Sequence, residues 1–168
     1  MITDLVQIRL LGEKKRPENE RLRRHMKSHD HSDRILRRIA EEIESEIDCT
    51  ACANCCRVAT VKLAPRDVER LAKHLRIPRE RFLAEYAMES ADEGVILRRD
   101  ETAGCVFLNG NDCTVYDARP DICQRFPHLV RGQGSIASRM WEMIDRAVYC
   151  PIVYNSLEAF KEALKFQR

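Results

Sequence analysis

The sequence predicts an α+β fold, mainly helical, with short helices and a small β-hairpin gathered around a cysteine-rich metal centre. Three observations lead there. The 168 residues include eight cysteines, all between Cys49 and Cys150, with four in the run Cys49-Thr-Ala-Cys52-Ala-Asn-Cys55-Cys56. Apolar residues recur at helical spacing on both sides of that run. An Asn109-Gly110 pair between short apolar segments is a strong hairpin signal. A chain of this length fits one compact domain with an appendage. The division expected is a charged, helical N-terminal extension over residues 1–47 and a cysteine-cluster metal-binding domain over 48–168.

The elements follow in order. Residues 2–11 are apolar enough for a helical turn or a docking strand, and Gly12 is expected to end it. Residues 13–27 are charged, with Arg16, Arg21, Arg23, Arg24 and Lys27, and read as a solvated helix or linker. His25, His29 and His31 form a short run with no further ligand at matching spacing, which favours a solvated cluster over a metal site. Ser32 is placed to cap a helix carrying Ile35, Leu36, Ile39, Ile43 and Ile47 on one face, which delivers Cys49 at its end.

Beyond the cysteine run, Val58–Leu63 reads as a short strand or extended segment, and Pro65 opens a helix with Val68, Leu71, Ala72 and Leu75 inward. A second helix bears Phe82, Leu83, Tyr86 and Ala87. The pair resembles a helix-turn-helix, but acids alternate with bases along Arg79–Tyr86, so packing is the favoured role. Residues 95–98 form a strand, and the hairpin about Asn109-Gly110 is expected to bring Cys105 and Cys113 together across its ladder. A short helix from Asp121 would bear Cys123, Arg125 and Phe126, ending at Pro127. A mobile Gly132-Gln-Gly134 loop follows, then helical spacing through Trp141, Ile144 and Val148, Cys150-Pro151, and a closing helix with Leu157, Phe160 and Leu164.

Charge and hydropathy narrow the function. Positive residues number 29 against 27 negative, a net charge of +2, so no global field marks a nucleic-acid or membrane-surface binder. The basic stretch before Lys27 is interleaved with Glu13, Glu18 and Glu20 and has no aromatic to stack on a base, which argues against nucleic acid. No stretch is long and apolar enough to span a membrane. The charged first twenty residues read as neither signal peptide nor anchor, pointing to the cytoplasm. In such a compartment clustered cysteines are read as metal ligands rather than disulfides. Two-residue spacings let a loop curl round a soft metal with both thiolates converging. The Cys55-Cys56 doublet is expected to divide between different ions or a polynuclear cluster, because neighbouring side chains diverge on a strand or helix.

The run Cys49-x2-Cys52-x2-Cys55-Cys56, followed by Cys105-x7-Cys113-x2-Tyr116-x2-Arg119-Pro120-x2-Cys123-x2-Phe126-Pro127, resembles the bacterial YkgJ-like cysteine-cluster family of zinc- or iron-chelating proteins, often labelled iron–sulfur oxidoreductases. The resemblance covers about residues 48–155, including Leu63-Ala-Pro-Arg-Asp-Val-Glu-Arg-Leu71. It implies a metal or iron–sulfur centre held by Cys49, Cys52, Cys55, Cys56, Cys105, Cys113, Cys123 and Cys150, and it implies no substrate or partner. A protein-modifying enzyme shares the cysteine motif, which suggests that such a cluster can sit inside an enzyme.

Thiolate ligands leave excess negative charge on either cofactor, so cations beside them are needed, and Arg57, Arg119 and Arg125 are the candidates. Both an iron–sulfur cluster and Zn2+ accept thiolates, and two functions stay open. One is a redox protein or oxidoreductase with a one-electron centre. The other is a zinc-stabilised interaction module without catalysis.

Overall fold

The computed structural model describes residues 1–28 and 32–166. The chain forms two compact units, Met1–Asp48 with Arg125–Arg168, and Cys49–Gln124. The sequence suggested one cut, near residue 48. The second boundary, at Gln124, arises because the C-terminal helices supply the apolar faces that the N-terminal helices need.

The first unit is helical. Helix α1 runs Leu5–Met26 without interruption and is capped by Asp4, whose carboxylate accepts the Gln7 N–H at 2.8 Å. Gly12 does not stop it. A Cβ there would lie 2.7 Å from the Ala147 carbonyl oxygen and the Val148 Cα, so glycine serves a close backbone approach. Helix α2, Ser32–Glu46, carries the expected stripe, with Leu36 and Ala40 fully buried and Ile35, Ile39, Ile43 and Ile47 packed against the same core. His29 and His31 lie outside the described residues, as does the environment of the Ser32 side chain, while the His25 ring meets Phe166 edge-on at 5.4 Å.

Later in this unit, α8 (Met140–Arg146) and α9 (Pro151–Ala163) bury Met140, Met143, Ile144, Ile152, Val153, Leu157 and Phe160. Trp141, expected on the inner stripe, is instead 54% exposed, because the helix begins late and turns Met140 and Met143 inward. The residues that flank the Gly132-Gln-Gly134 loop are held by α2. Arg37 donates to the Val130 carbonyl at 2.7 Å, and Asp33 accepts the N–H groups of Ile136 and Ala137 at 2.7 and 3.1 Å. Lys161 is buried but fully engaged, paired with Glu18 and Glu158 and donating to Asn19 Oδ1 at 3.1 Å.

The second unit is built from shorter pieces. Single-turn helices α3 (Cys49–Cys52) and α4 (Asn54–Val58) flank Ala53, which is buried and left-handed at φ 45°. Helices α5 (Pro65–Leu75) and α6 (Arg79–Tyr86) follow as expected and bury Val68, Leu71, Ala72 and Phe82. Val58, expected to open an extended segment, instead ends α4; residues 59–63 follow as the extended stretch, bridged at Lys62 to Ile96. The described strands pair as three antiparallel hairpins: β1 (Ala87–Ser90) with β2 (Gly94–Leu97), β3 (Arg99–Asp100) with β4 (Gly104–Cys105), and β5 (Leu108–Asn109) with β6 (Asp112–Cys113).

The hairpin register differs from expectation. Cys105 pairs with Arg99, and Cys113 pairs with Leu108, so the two cysteines sit on separate ladders. The turn is one residue later than expected, at Gly110-Asn111, with Gly110 at φ 61° in the first central position, as a type II′ turn requires. Helix α7, Asp121–Gln124, carries Cys123 and ends before Arg125 and Phe126.

Candidate metal centre

Seven of the eight cysteines lie in the second unit, and no disulfide joins any of the eight. Cys150 belongs to the first unit, where it is buried among aliphatic residues at the start of α9, and Arg125 is also in that unit. The remaining residues are brought in by four segments: α3 and α4 with Cys49, Cys52, Cys55 and Cys56, β4 with Cys105, β6 with Cys113, and α7 with Cys123.

Each segment has a specific tie. The first hairpin of the pair reaches α4 through Gly104, where a Cβ would stand 2.7 Å from both the Cys56 carbonyl oxygen and the Arg57 Cα; its φ of +83° also favours glycine. Arg99, opposite Cys105, closes the end of α4 by donating to the Arg57 and Val58 carbonyls at 3.0 and 2.8 Å. The second hairpin is held at its tip. Arg57 donates to the Gly110 carbonyl at 2.9 Å, to Asn111 Oδ1 and to the Cys52 carbonyl at 3.1 Å, while Asn111 Nδ2 donates to the Ala51 carbonyl at 2.6 Å.

The α7 segment is fixed by Asp67 and Arg70, which fall in the Leu63–Leu71 stretch of the resemblance but to which the resemblance assigns no role. Buried Asp67 accepts the N–H groups of Ala64 and Asp121 at 3.0 and 3.1 Å and pairs with Arg70 at 2.6 Å. Arg70 then reaches the Arg119 carbonyl at 2.8 Å and Asp121 at 3.1 Å, fixing the Tyr-x2-Arg-Pro-x2-Cys stretch from behind. The link from Asp67 to Asp121 spans too many residues for local pattern to reveal.

Electrostatics group the sulfurs. Cys55 and Cys56 sulfurs lie 4.0 Å apart. The Cys56 thiol is lowered to about 7, first by its hydrogen bond with Cys55 and then by the charges of Arg57 and Arg119. Burial pushes Cys105 up to about 11 and Cys123 up to about 12, and nearby cysteines add to both; Cys113 is raised for the same reason. Arg119 stacks on the Tyr116 ring, its guanidinium carbon 3.4 Å from the ring centre, and its charge eases the ionisation of Cys113 and Cys123. Among the described residues no three Cys, His, Asp or Glu side chains close round one point.

The donor set fits a thiophilic metal. Zinc–sulfur bonds of about 2.3 Å at the tetrahedral angle separate two thiolates by about 3.8 Å, close to the 4.0 Å between Cys55 and Cys56. That separation would suit two thiolates on one ion and is equally compatible with the expected division between ions or a cluster. Thiols raised by burial and by one another are what a cation would ionise on entering.

A family model written CxxCxxCC, described as a "putative zinc- or iron-chelating domain", matches residues 48–151. The chain belongs to that family. Comparison with curated proteins and with solved structures gave no match. In this CxxCxxCC protein the signature cysteines are those of α3 and α4, and the matched span also takes in Cys105, Cys113, Cys123 and Cys150. No described helix is long and apolar enough to cross a membrane.

Proposed function

We propose that the second unit holds zinc or iron through Cys49, Cys52, Cys55, Cys56, Cys105, Cys113 and Cys123, and that the protein acts as a cytoplasmic one-electron carrier or oxidoreductase with an iron–sulfur centre. The observation that carries this reading is the placement of Cys105, Cys113 and Cys123 near Cys56, thiols on four separate segments tied together by Gly104, Arg57 and Asp67. Seven thiols in one unit exceed the four that a single tetrahedral ion takes, which supports a cluster. A bound iron–sulfur cluster supplies one-electron oxidation and reduction. The chain's own part is to ionise and orient the thiols: Arg57 and Arg119 offset their negative charge, and Gly104 and Asp67 position the segments that bear them.

A second reading, a zinc-stabilised interaction module, is favoured by the Cys55–Cys56 spacing, which suits two thiolates on one ion. Anaerobic purification with metal and sulfide analysis separates the two. Iron, acid-labile sulfide and broad absorption near about 400 nm support the first. A colourless, stoichiometric zinc protein supports the second, and fully reduced protein that retains neither metal overturns both.

A further inference from the structure

The hairpin tip at Gly110-Asn111 grips the C-x-x-C loop by its backbone. Asn111 Nδ2 donates to the Ala51 carbonyl at 2.6 Å, its Oδ1 accepts from Arg57, and the same guanidinium donates to the Gly110 and Cys52 carbonyls at 2.9 and 3.1 Å. Thus one amide and one guanidinium tie three segments: the loop bearing Cys49 and Cys52, the helix bearing Cys55 and Cys56, and the strand bearing Cys113. Cys49 and Ala51 are exposed, α3 is a single turn with no buried residue, and α3 joins α4 through left-handed Ala53.

We infer that Asn111 is a positioning residue for the metal centre, acting with Arg57 as a latch that presets the Cys49–Cys52 loop against the Cys113 hairpin before metal enters. The inference rests on the metal-chelating reading of these cysteines. An amide suits the task because it donates to one carbonyl and accepts from the arginine at the same time, which neither an aliphatic nor a purely anionic side chain can do. Groups that orient ligands from behind typically set metal affinity by about 10- to 100-fold when removed.

The test uses full-length protein loaded with Zn2+ alone, and follows transfer of zinc to a chromogenic chelator. Asn111→Ala should release zinc about tenfold faster while the thermal unfolding of its metal-free form stays that of the parent. Asn111→Asp keeps the acceptor for Arg57 but loses the donor to Ala51, and should fall between the two. Asn109→Ala, an exposed change in the same hairpin, should release zinc at the parental rate. Parental rates in Asn111→Ala, or equal acceleration in Asn109→Ala, overturn the latch. If the metal-free Asn111→Ala protein unfolds earlier than the parent, its faster release reflects a weakened fold, and the latch is likewise overturned. Failure of the parent itself to take up zinc or iron overturns the chelating reading instead, so the two failures are distinct.

Discussion

The two units are stabilised by different means. In the unit of Met1–Asp48 and Arg125–Arg168, long helices lay continuous apolar faces together, and Leu22, Leu36, Met143, Leu157 and Phe160 are sealed from solvent. In the Cys49–Gln124 unit the elements are too short to satisfy their own backbone, and arginines do so from outside: Arg57, Arg70, Arg98 and Arg99 all donate to main-chain carbonyls. A smaller core under α5 and α6, around Leu71 and Phe82, supports that unit from one side. Where regular hydrogen-bond ladders are brief, polar ties and bound metal take over what helix packing does elsewhere.

Metal removal should break the symmetry between units most strongly. Structural zinc contributes on the order of 10 kcal/mol to small metal-dependent folds. A chelator should therefore lower hydrogen-exchange protection most in the cysteine-bearing segments of residues 49–124, which keep their core under α5 and α6, while α1, α2, α8 and α9 are unchanged. Equal loss in both units would refute the division of labour.

The converse perturbation is Phe160→Ala, at a fully buried position. Truncating a buried phenylalanine costs about 3–5 kcal/mol, which should appear in denaturant unfolding with metal stoichiometry unchanged. Next comes Gly104→Ala. A Cβ 2.7 Å from the Cys56 carbonyl, at a left-handed φ, should cost about 3 kcal/mol through overpacking and backbone strain. Unlike the phenylalanine change, it should also lower metal content, because α4 and β4 are forced apart.

The smallest expected effect is on pH dependence, and its sign differs between metal-free and loaded protein. Cys105 and Cys123 have thiols raised from 9.0 to about 11 and about 12 in the folded chain. Their contribution to metal-free stability is complete below pH 9 and is lost as pH rises through 11 and 12. Cys56, lowered from 9.0 to about 7, contributes above pH 9 and loses that contribution as pH falls through 7. Metal binding runs the other way from Cys105 and Cys123, since each proton displaced strengthens affinity about tenfold per pH unit. Melting curves of stripped and loaded protein between pH 7 and 11 should diverge; parallel curves would show that these thiols do not meet the metal.

Much of this was legible in the chain. The spacing of Ile35, Leu36, Ile39 and Ile43 specified α2, Pro65 marked the start of α5, and the cysteine run located the family's signature. What escaped was set by contacts between distant residues. Gly12 looks like a helix stop until Ala147 is seen to approach it, and Cys105 belongs to a separate hairpin that sets it opposite Arg99. Arg70 and Asp67 look like ordinary surface charges on an amphipathic helix, because nothing local indicates that Asp121 comes to meet them.

Cys150 sits in the greasy interior of the helical unit, six per cent exposed, at the entry to α9. An alkylating reagent applied to native, metal-stripped protein should thus modify exposed Cys49 and the readily ionised Cys56 first and leave this one intact. Unmodified Cys150 in the mass spectrum then serves as an internal witness that the helices stayed closed while the rest of the sulfur chemistry was being counted.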